Sequence, residues 1–407
     1  MDEFLYFKNN SPELLPGNFS YYERKRGKNV NPVTRMYRTF SNKLKYMKKE
    51  SKYTLNMSIA VFILVILVII IIILNLPPAG MEGSAVIADY YTHQQSYHKY
   101  SNGSTVYKFA VIADIDEASK KVSEKNGKDY WESNIMVGTL TRDQATGKYS
   151  VEFDEPIPLT STLSEAGRGM ELSELVYFNN MLLAFDDRTG IVFEIIIDRK
   201  LVVPRYILME GDGTSAKGQK TEWATVKDGV LYSGSIGKEW TDNYGRVFHH
   251  KPQWVKTITP EGTVRAHNWK NVFNSMRDAT GTGLPGYLLH EAVCYNPANR
   301  LWYFMPRRES KEEYNEVKDE ERGTNLVIAM DDEFSVVSVK RYGTLDPKRG
   351  TSSCKFIPYR ENEFVSIQTM EFRGEIKSYI TVMNLDGEVL LPETEFSSTK
   401  YEGVEFI

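Results

Sequence analysis

The sequence predicts an all-β fold arranged as a five-bladed propeller and preceded by a single N-terminal transmembrane helix. Three observations carry this reading. Short apolar runs alternate with turn pairs over most of the 407 residues, helical periodicity is confined to Asn268–Ala279, and five short stretches align as a repeat. A fourth feature, an apolar run near the N-terminus, sets the rest apart from residues 1–56.

That first segment is basic. Residues 1–80 hold 12 Lys and Arg against 5 Asp and Glu, so the remaining chain holds 38 against 49 and is acidic. An acidic main part speaks against a nucleic acid polymer as partner, and 25 Tyr, 19 Phe and 6 Trp exclude a disordered chain. Cys294 and Cys354 are the two cysteines, too few for a disulfide-dense scaffold or a four-cysteine zinc site. Met57 to Leu76 reads MSIAVFILVILVIIIIILNL, with no polar residue from Ile59 to Leu74. Twenty helical residues span about 30 Å, the thickness of a bilayer core. A core helix would keep a polar face, and a cleaved signal peptide would start earlier and end in small residues. Pro77 and Pro78 follow instead and stop the helix. The cluster from Arg24 to Lys52 puts residues 1–56 in the cytosol and the rest in the secretory lumen or outside. A type II protein of the endoplasmic reticulum or Golgi is expected, touching the lipid bilayer through residues 57–76. A lumenal stem (77–105) carries the sequon Asn102-Gly-Ser.

Strands begin at Val106–Ala113 and recur as Met181–Phe185, Val230–Ser233, Leu301–Phe304 and Glu363–Ser366, separated by Asn179-Asn180, Asp228-Gly229, Asn296-Pro297 and Asp386-Gly387. The repeat starts at Ser173, Glu222, Glu291, Ser352 and Glu402, spaced 49, 69, 61 and 50 residues apart, the size of a four-stranded blade with its loops. Each start bears an oxygen side chain, with a small or apolar residue two positions on and a larger apolar residue four positions on. The last start lies so near the C-terminus that strands from residues 106–160 must complete its blade, closing the ring. On pattern alone, a β-sandwich with a coincidental alignment stands beside the propeller.

In a propeller the five starts converge at one mouth of the channel. Three carboxylates and two hydroxyls are hard donors without nitrogen or sulfur, which suits Ca²⁺ better than Mg²⁺. Strand-start hydrogen bonding to nearby backbone is the competing account of the same residues.

The chain resembles the calcium-activated nucleotidase (soluble apyrase-type) family from about Phe109 to Ile407. The resemblance rests on Ile112–Asp116, Gly167–Leu175, Asp186–Gly190, Gly211–Thr214, Gly237–Trp240, Gly286–Glu291, Pro306–Arg308 and Lys400–Ile407. It implies a five-bladed propeller with a central Ca²⁺ that hydrolyses nucleoside di- and triphosphates, UDP and GDP ahead of ADP. It also implies a role in clearing UDP for glycosylation and proteoglycan synthesis, and it raises a homodimer for which the sequence marks no interface. The implied ligands are Ser173, Glu174, Glu222, Glu291, Ser352 and Glu402; at Glu174 the compared relative carries Asp.

Phosphoanhydride hydrolysis needs the phosphate charge neutralised and a water placed in line. Arg168, Arg188, Lys238, Arg307 and Arg308 are the candidate phosphate binders and Trp240 a candidate to stack on a base. Asp114, Asp116, Glu171 and Asp187 are the candidate bases or water-orienting groups. Arg307→Ala is expected to weaken phosphate binding while leaving the cation site intact. The alternatives are a non-catalytic calcium propeller and a lactonase-type enzyme, for which His290 is the one histidine in a ligand motif. No GxxxxGK[ST] or GxSxG motif is present.

Overall fold

A computed structural model describes residues 103–407, together with the backbone of Tyr97–Lys99. The basic tail, the apolar run 57–76 and the Asn102 sequon lie outside the described residues. Among those described, no helix is long and apolar enough to cross a membrane.

The alternating runs form the strands they predict. Four consecutive antiparallel four-stranded meanders cover residues 172–207, 223–268, 287–341 and 349–397. Two-residue turns at Asn179-Asn180 and Asp228-Gly229 join the first hairpins of the first two blades, every residue at positive φ as such tight turns require. The fifth blade uses both ends of the described chain. Tyr401–Phe406 pairs with Thr105–Ala113, with Phe109 opposite Phe406, and Thr105–Ala113 pairs in turn with Asp129–Arg142. Tyr97–Lys99, within the stretch read as stem, adds an edge strand to Thr105–Tyr107.

The inner strands are Leu172–Phe178, Trp223–Lys227, Tyr287–Asn296, Arg349–Ile357 and Tyr401–Phe406, and they pack side by side in a closed ring. The last strand lies so close to the first blade that a Cβ on Gly403 would meet the Leu175 nitrogen at 2.6 Å. Apolar side chains gather into five cores, one in each gap between neighbouring blades. Examples are Ile112 with Phe193, Leu183 with Ala224, Trp223 with Trp302, Tyr303 with Phe356, and Phe109 with Ile367. Blades buried on both faces in this way exclude the two-layered sandwich.

The predicted helix is Lys270–Thr280, ended by Gly281 at positive φ. It lays Phe273 and Met276 over the gap between the second and third blades, and its buried Arg277 makes a bidentate pair with Glu239 (2.9 and 2.7 Å). Glu239 belongs to the loop Gly237–Trp240, so this pair ties that loop to the helix. Cys294 and Cys354 form a disulfide across the inner strands of the third and fourth blades, with Cα atoms 6.0 Å apart.

Candidate active site at the mouth of the channel

Four of the five repeat starts are residues that the strand ladders skip. Pairing passes over Ser173 between Leu172 and Glu174, Glu291 between His290 and Ala292, Ser352 between Thr351 and Ser353, and Glu402 between Tyr401 and Gly403. Arg307 is skipped on the strand facing Glu291. A skipped residue is a β-bulge, which bends the strand and re-aims a side chain. Glu222 stands one residue before its strand, its N–H donating to the Gly234 carbonyl at 2.9 Å.

Of the skipped residues, Glu291, Arg307 and Glu402 meet, whereas the Ser352 hydroxyl shares a hydrogen bond with the Thr369 hydroxyl at 2.7 Å. Arg307 Nη1 donates to Glu402 Oε1 (2.8 Å) and to Glu291 Oε2, while Nη2 donates to Glu371. Lys400 Nζ lies 2.9 Å from Asp114, 3.6 Å from Glu402 and 3.7 Å from Glu371. Lys220 bridges Glu222 (2.6 Å) and Asp187. With Asp116, 3.3 Å from Lys400, seven carboxylates thus meet three cations, and burial makes the excess costly. Burial, with the Glu291 and Asp187 charges, pushes Glu222 up to about 8 against the pull of Lys220. Burial likewise drives Glu402 well above the usual carboxylate range. The Ser173 hydroxyl is buried with no hydrogen-bond partner among the described residues. Buried, under-neutralised carboxylates, with an orphaned hydroxyl on an inner strand that packs against the one bearing Glu402, fit a hard divalent cation held by oxygen.

Glu174 is not brought into this group. Its carboxylate accepts from Ser353 Oγ and the Leu175 N–H, each at 2.8 Å, and pairs with Lys355 at 3.2 Å. Burial raises it to about 7. Strand alternation explains the difference, because Glu174 regains the register that Ser173 leaves.

The candidate bases divide. Oxygens of Asp114, Asp116 and Glu171 lie within 4.8 Å of one another. Burial works against the Asp114 carboxylate, but Lys400 and the Asp116 N–H outweigh it and hold it below the usual range. Glu171 is raised to about 7 by burial and by the Asp114 and Asp187 charges, against the hydrogen bonds from Arg168. One group is therefore fixed as an anion and another is poised to carry a proton near neutral pH. Asp187 is taken up by Lys220.

The candidate phosphate binders divide as well. Lys238, Trp240, Arg307 and Arg308 line one cleft of ≈ 510 Å³ with Glu222, Glu291, Glu402 and Lys400. Arg168 and Arg188 are not among its lining residues. Arg168 clamps Glu171 (Nε to Oε1, 2.7 Å) and approaches Asp116 at 3.4 Å, and Arg188 lies 3.8 Å from Glu165. Arg307 is enclosed by Glu291, Glu371 and Glu402, so Arg307→Ala would strip charge from two candidate cation ligands. The expectation that it spares the cation site does not survive this geometry.

Lys220, Lys400 and Glu371 went unread in the sequence. Both lysines precede a repeat start by two positions, as Lys220-Thr-Glu222 and Lys400-Tyr-Glu402, which on an extended chain puts the two charges on one face. His290 packs against the rings of Phe273 and Phe304, and burial lowers it to about 3. It therefore faces an apolar gap as a neutral ring, away from the place a lactonase-type histidine would need. Trp223 is core, its indole N–H donating to the Ser235 carbonyl at 3.1 Å.

Residues 115–407 match the family model described as apyrase. Soluble calcium-activated nucleotidase 1 of Mus musculus is 42% identical over 318 residues, covering 78% of this chain and 77% of that protein. An apyrase of Cimex lectularius is 41% identical over 305 residues, covering 74% and 82%. Apyrase apy-1 of Caenorhabditis elegans is 37% identical over 317 residues, covering 76% and 87%.

Proposed function

Because the chain belongs to the apyrase family, that of the calcium-activated nucleotidases, we propose that it hydrolyses nucleoside diphosphates to monophosphate and phosphate in a Ca²⁺-dependent reaction. The observation that carries this reading is the meeting of Glu222, Glu291 and Glu402 with Arg307, Lys220 and Lys400 in one cleft. Ser173, Glu222, Glu291, Ser352 and Glu402 are the residues that would hold Ca²⁺, which supplies Lewis-acid charge neutralisation to the phosphate oxygens.

The chain's own groups do the rest. Arg308 lines the cleft, and its buried Nη1 has no hydrogen-bond partner among the described residues, so it is a donor waiting for a phosphate oxygen. Lys238 adds a second cation on the same wall. Glu171, clamped by Arg168, holds or accepts the proton of the attacking water, and Asp114 with Lys400 orients it. Trp240 offers its ring to the base. UDP and GDP are the preferred substrates, with ADP and triphosphates secondary.

A secretory-pathway location with the catalytic domain lumenal and residues 57–76 in the bilayer goes with this chemistry. There, UDP removal would relieve product inhibition of glycosyltransferases. The Cys294–Cys354 disulfide supports an oxidising compartment.

The test is phosphate release from a nucleotide panel by the full chain in Ca²⁺, in Mg²⁺ and in EGTA. Release from UDP and GDP with Ca²⁺ alone is expected. Absence of Ca²⁺-dependent release from every nucleotide would overturn the reading.

A pH effect follows from Lys238. Burial lowers its ammonium to about 8, with Asp319 and Glu239 opposing. It is charged below that pH and loses its charge as pH climbs through it, so its hold on phosphate weakens on the alkaline side. KM for UDP should rise above about pH 8, and Lys238→Arg should flatten that rise, since a guanidinium stays protonated. An unchanged alkaline limb in the arginine variant would remove Lys238 from phosphate binding.

A further inference from the structure

The third and fourth blades meet along a seam that no strand ladder crosses. Their inner strands, Tyr287–Asn296 and Arg349–Ile357, belong to separate sheets. At the mouth the seam is tight. A Cβ on Gly350 would meet the Arg307 carbonyl oxygen at 2.4 Å, and the Gly323 N–H donates to the Pro347 carbonyl at 2.7 Å. At the far end Asn296 Nδ2 donates to the Glu361 carbonyl at 2.6 Å. Between these points lies the Cys294–Cys354 disulfide, which joins residues 60 apart in sequence. Cys294 is 2% exposed and Cys354 0%, so solution thiols cannot reach the bond in the folded chain, and it is a fixed staple rather than a reversible switch.

The two blades that it joins both furnish the cleft. The third supplies Glu291 and Arg307, and the fourth supplies Ser352 and Glu371. The Arg307 guanidinium crosses the seam, donating to Glu291 of its own blade and to Glu371 of the next. Glu291 stands three residues before Cys294 and Ser352 two before Cys354. On extended chains these steps are about 10 Å and about 7 Å, so the bond sits one layer beneath the mouth.

Packing alone gives this seam little register. Apolar burial is non-directional and tolerates sliding. Between the second and third blades, Trp223, Trp269 and Trp302 interlock. In the next seam the inner strands offer Ala292, Cys294, Cys354 and Phe356, of which only the last is large. A site of this kind works only if its groups are held to within about 0.5 Å. We propose that the Cys294–Cys354 disulfide is a positioning element of the cation site, holding the third blade against the fourth so that Glu291 and Arg307 keep their places relative to Ser352 and Glu371. This rests on the nucleotidase reading above, in which Glu291 and Ser352 hold Ca²⁺.

The experiment compares calcium isotherms, measured by calorimetry, of the parent full chain, the Cys294→Ala/Cys354→Ala double variant and Leu140→Ala, with thermal midpoints taken without calcium. Leu140 is buried in the core between the fourth and fifth blades, opposite Tyr107, at the end of Thr105–Ala113 remote from Asp114. Its truncation costs stability without touching the seam. Both variants should melt at lower temperature than the parent. The double variant should bind calcium about five- to tenfold more weakly, less than the loss at a group bonded directly to a ligand, because the staple acts through the strands. Leu140→Ala should stay within about twofold of the parent isotherm, as distant sites act independently. If the alanine pair does not fold, Cys294→Val/Cys354→Ala refills the seam without the bond and takes its place. An unmoved isotherm in the folded cysteine variant, an equal weakening in Leu140→Ala, or failure of both cysteine variants to fold would overturn the positioning role, while calcium binding by the parent kept the nucleotidase reading. A parent chain that binds no calcium would overturn both.

Discussion

Glu291→Gln and Glu402→Gln should each lower nucleotide hydrolysis by about 100-fold or more and raise the calcium concentration needed for half-maximal activity. Substitutions at groups one step removed from a metal typically cost roughly 10- to 100-fold, and the proposed function makes these carboxylates direct ligands. Glutamine keeps the length and packing of glutamate but removes the charge. It also removes an acceptor from Arg307, which is shared by Glu291 and Glu402 and would swing toward whichever carboxylate remains. Because the substitution reduces an excess of buried negative charge, the fold should survive it, and the thermal midpoint without calcium should hold or rise. Calcium binding measured directly by calorimetry separates this account from a purely structural one. A variant that loses activity with its calcium isotherm unchanged would deny these residues a ligand role.

Removal of residues 401–407 should abolish the folded state. The strand Tyr401–Phe406 is buried along its whole length, and Tyr401, Val404 and Phe406 are each 1% exposed or less. Burying three such side chains contributes roughly 1.5–3 kcal/mol apiece. That sum rivals the roughly 5–15 kcal/mol that separates folded from unfolded domains. The deletion also leaves Thr105–Ala113 without its partner and opens the ring on two sides. Loss of near-ultraviolet circular dichroism and rapid proteolysis are the expected signs. A truncated chain that still unfolds cooperatively would mean that the ring closes by other contacts.

The parts of this site that the sequence made legible are those with a period. An oxygen side chain followed at two and four positions by apolar ones is the imprint of an inner strand, and Ser173, Glu222, Glu291, Ser352 and Glu402 each lie on or next to one. The need to complete a blade begun at Glu402 predicted the pairing with Thr105–Ala113. Asn179-Asn180 and Asp228-Gly229 marked turns because few other residues accept positive φ there. The bulges were not legible, since a one-residue slip in pairing leaves no mark in composition, yet they bring Arg307 opposite Glu291. Lys220 and Lys400 carried no signal of their own until the ring brought carboxylates around them. Glu174 shows the converse: it adjoins a bulged residue, and a single step along the strand turned its carboxylate to Lys355. The hydrogen bond from Asn243 Nδ2 to Glu316 Oε2 (2.6 Å) depends on how two loops of different blades approach, which no local pattern encodes.

The fifth blade joins strands from opposite ends of the propeller, and Glu402 stands on the later of them. A chain under synthesis therefore cannot close its ring, or assemble the cleft around Glu402, until Tyr401–Phe406 has emerged, however much of it has already folded. For the same reason a stop codon before Tyr401 erases the folded propeller rather than trimming it.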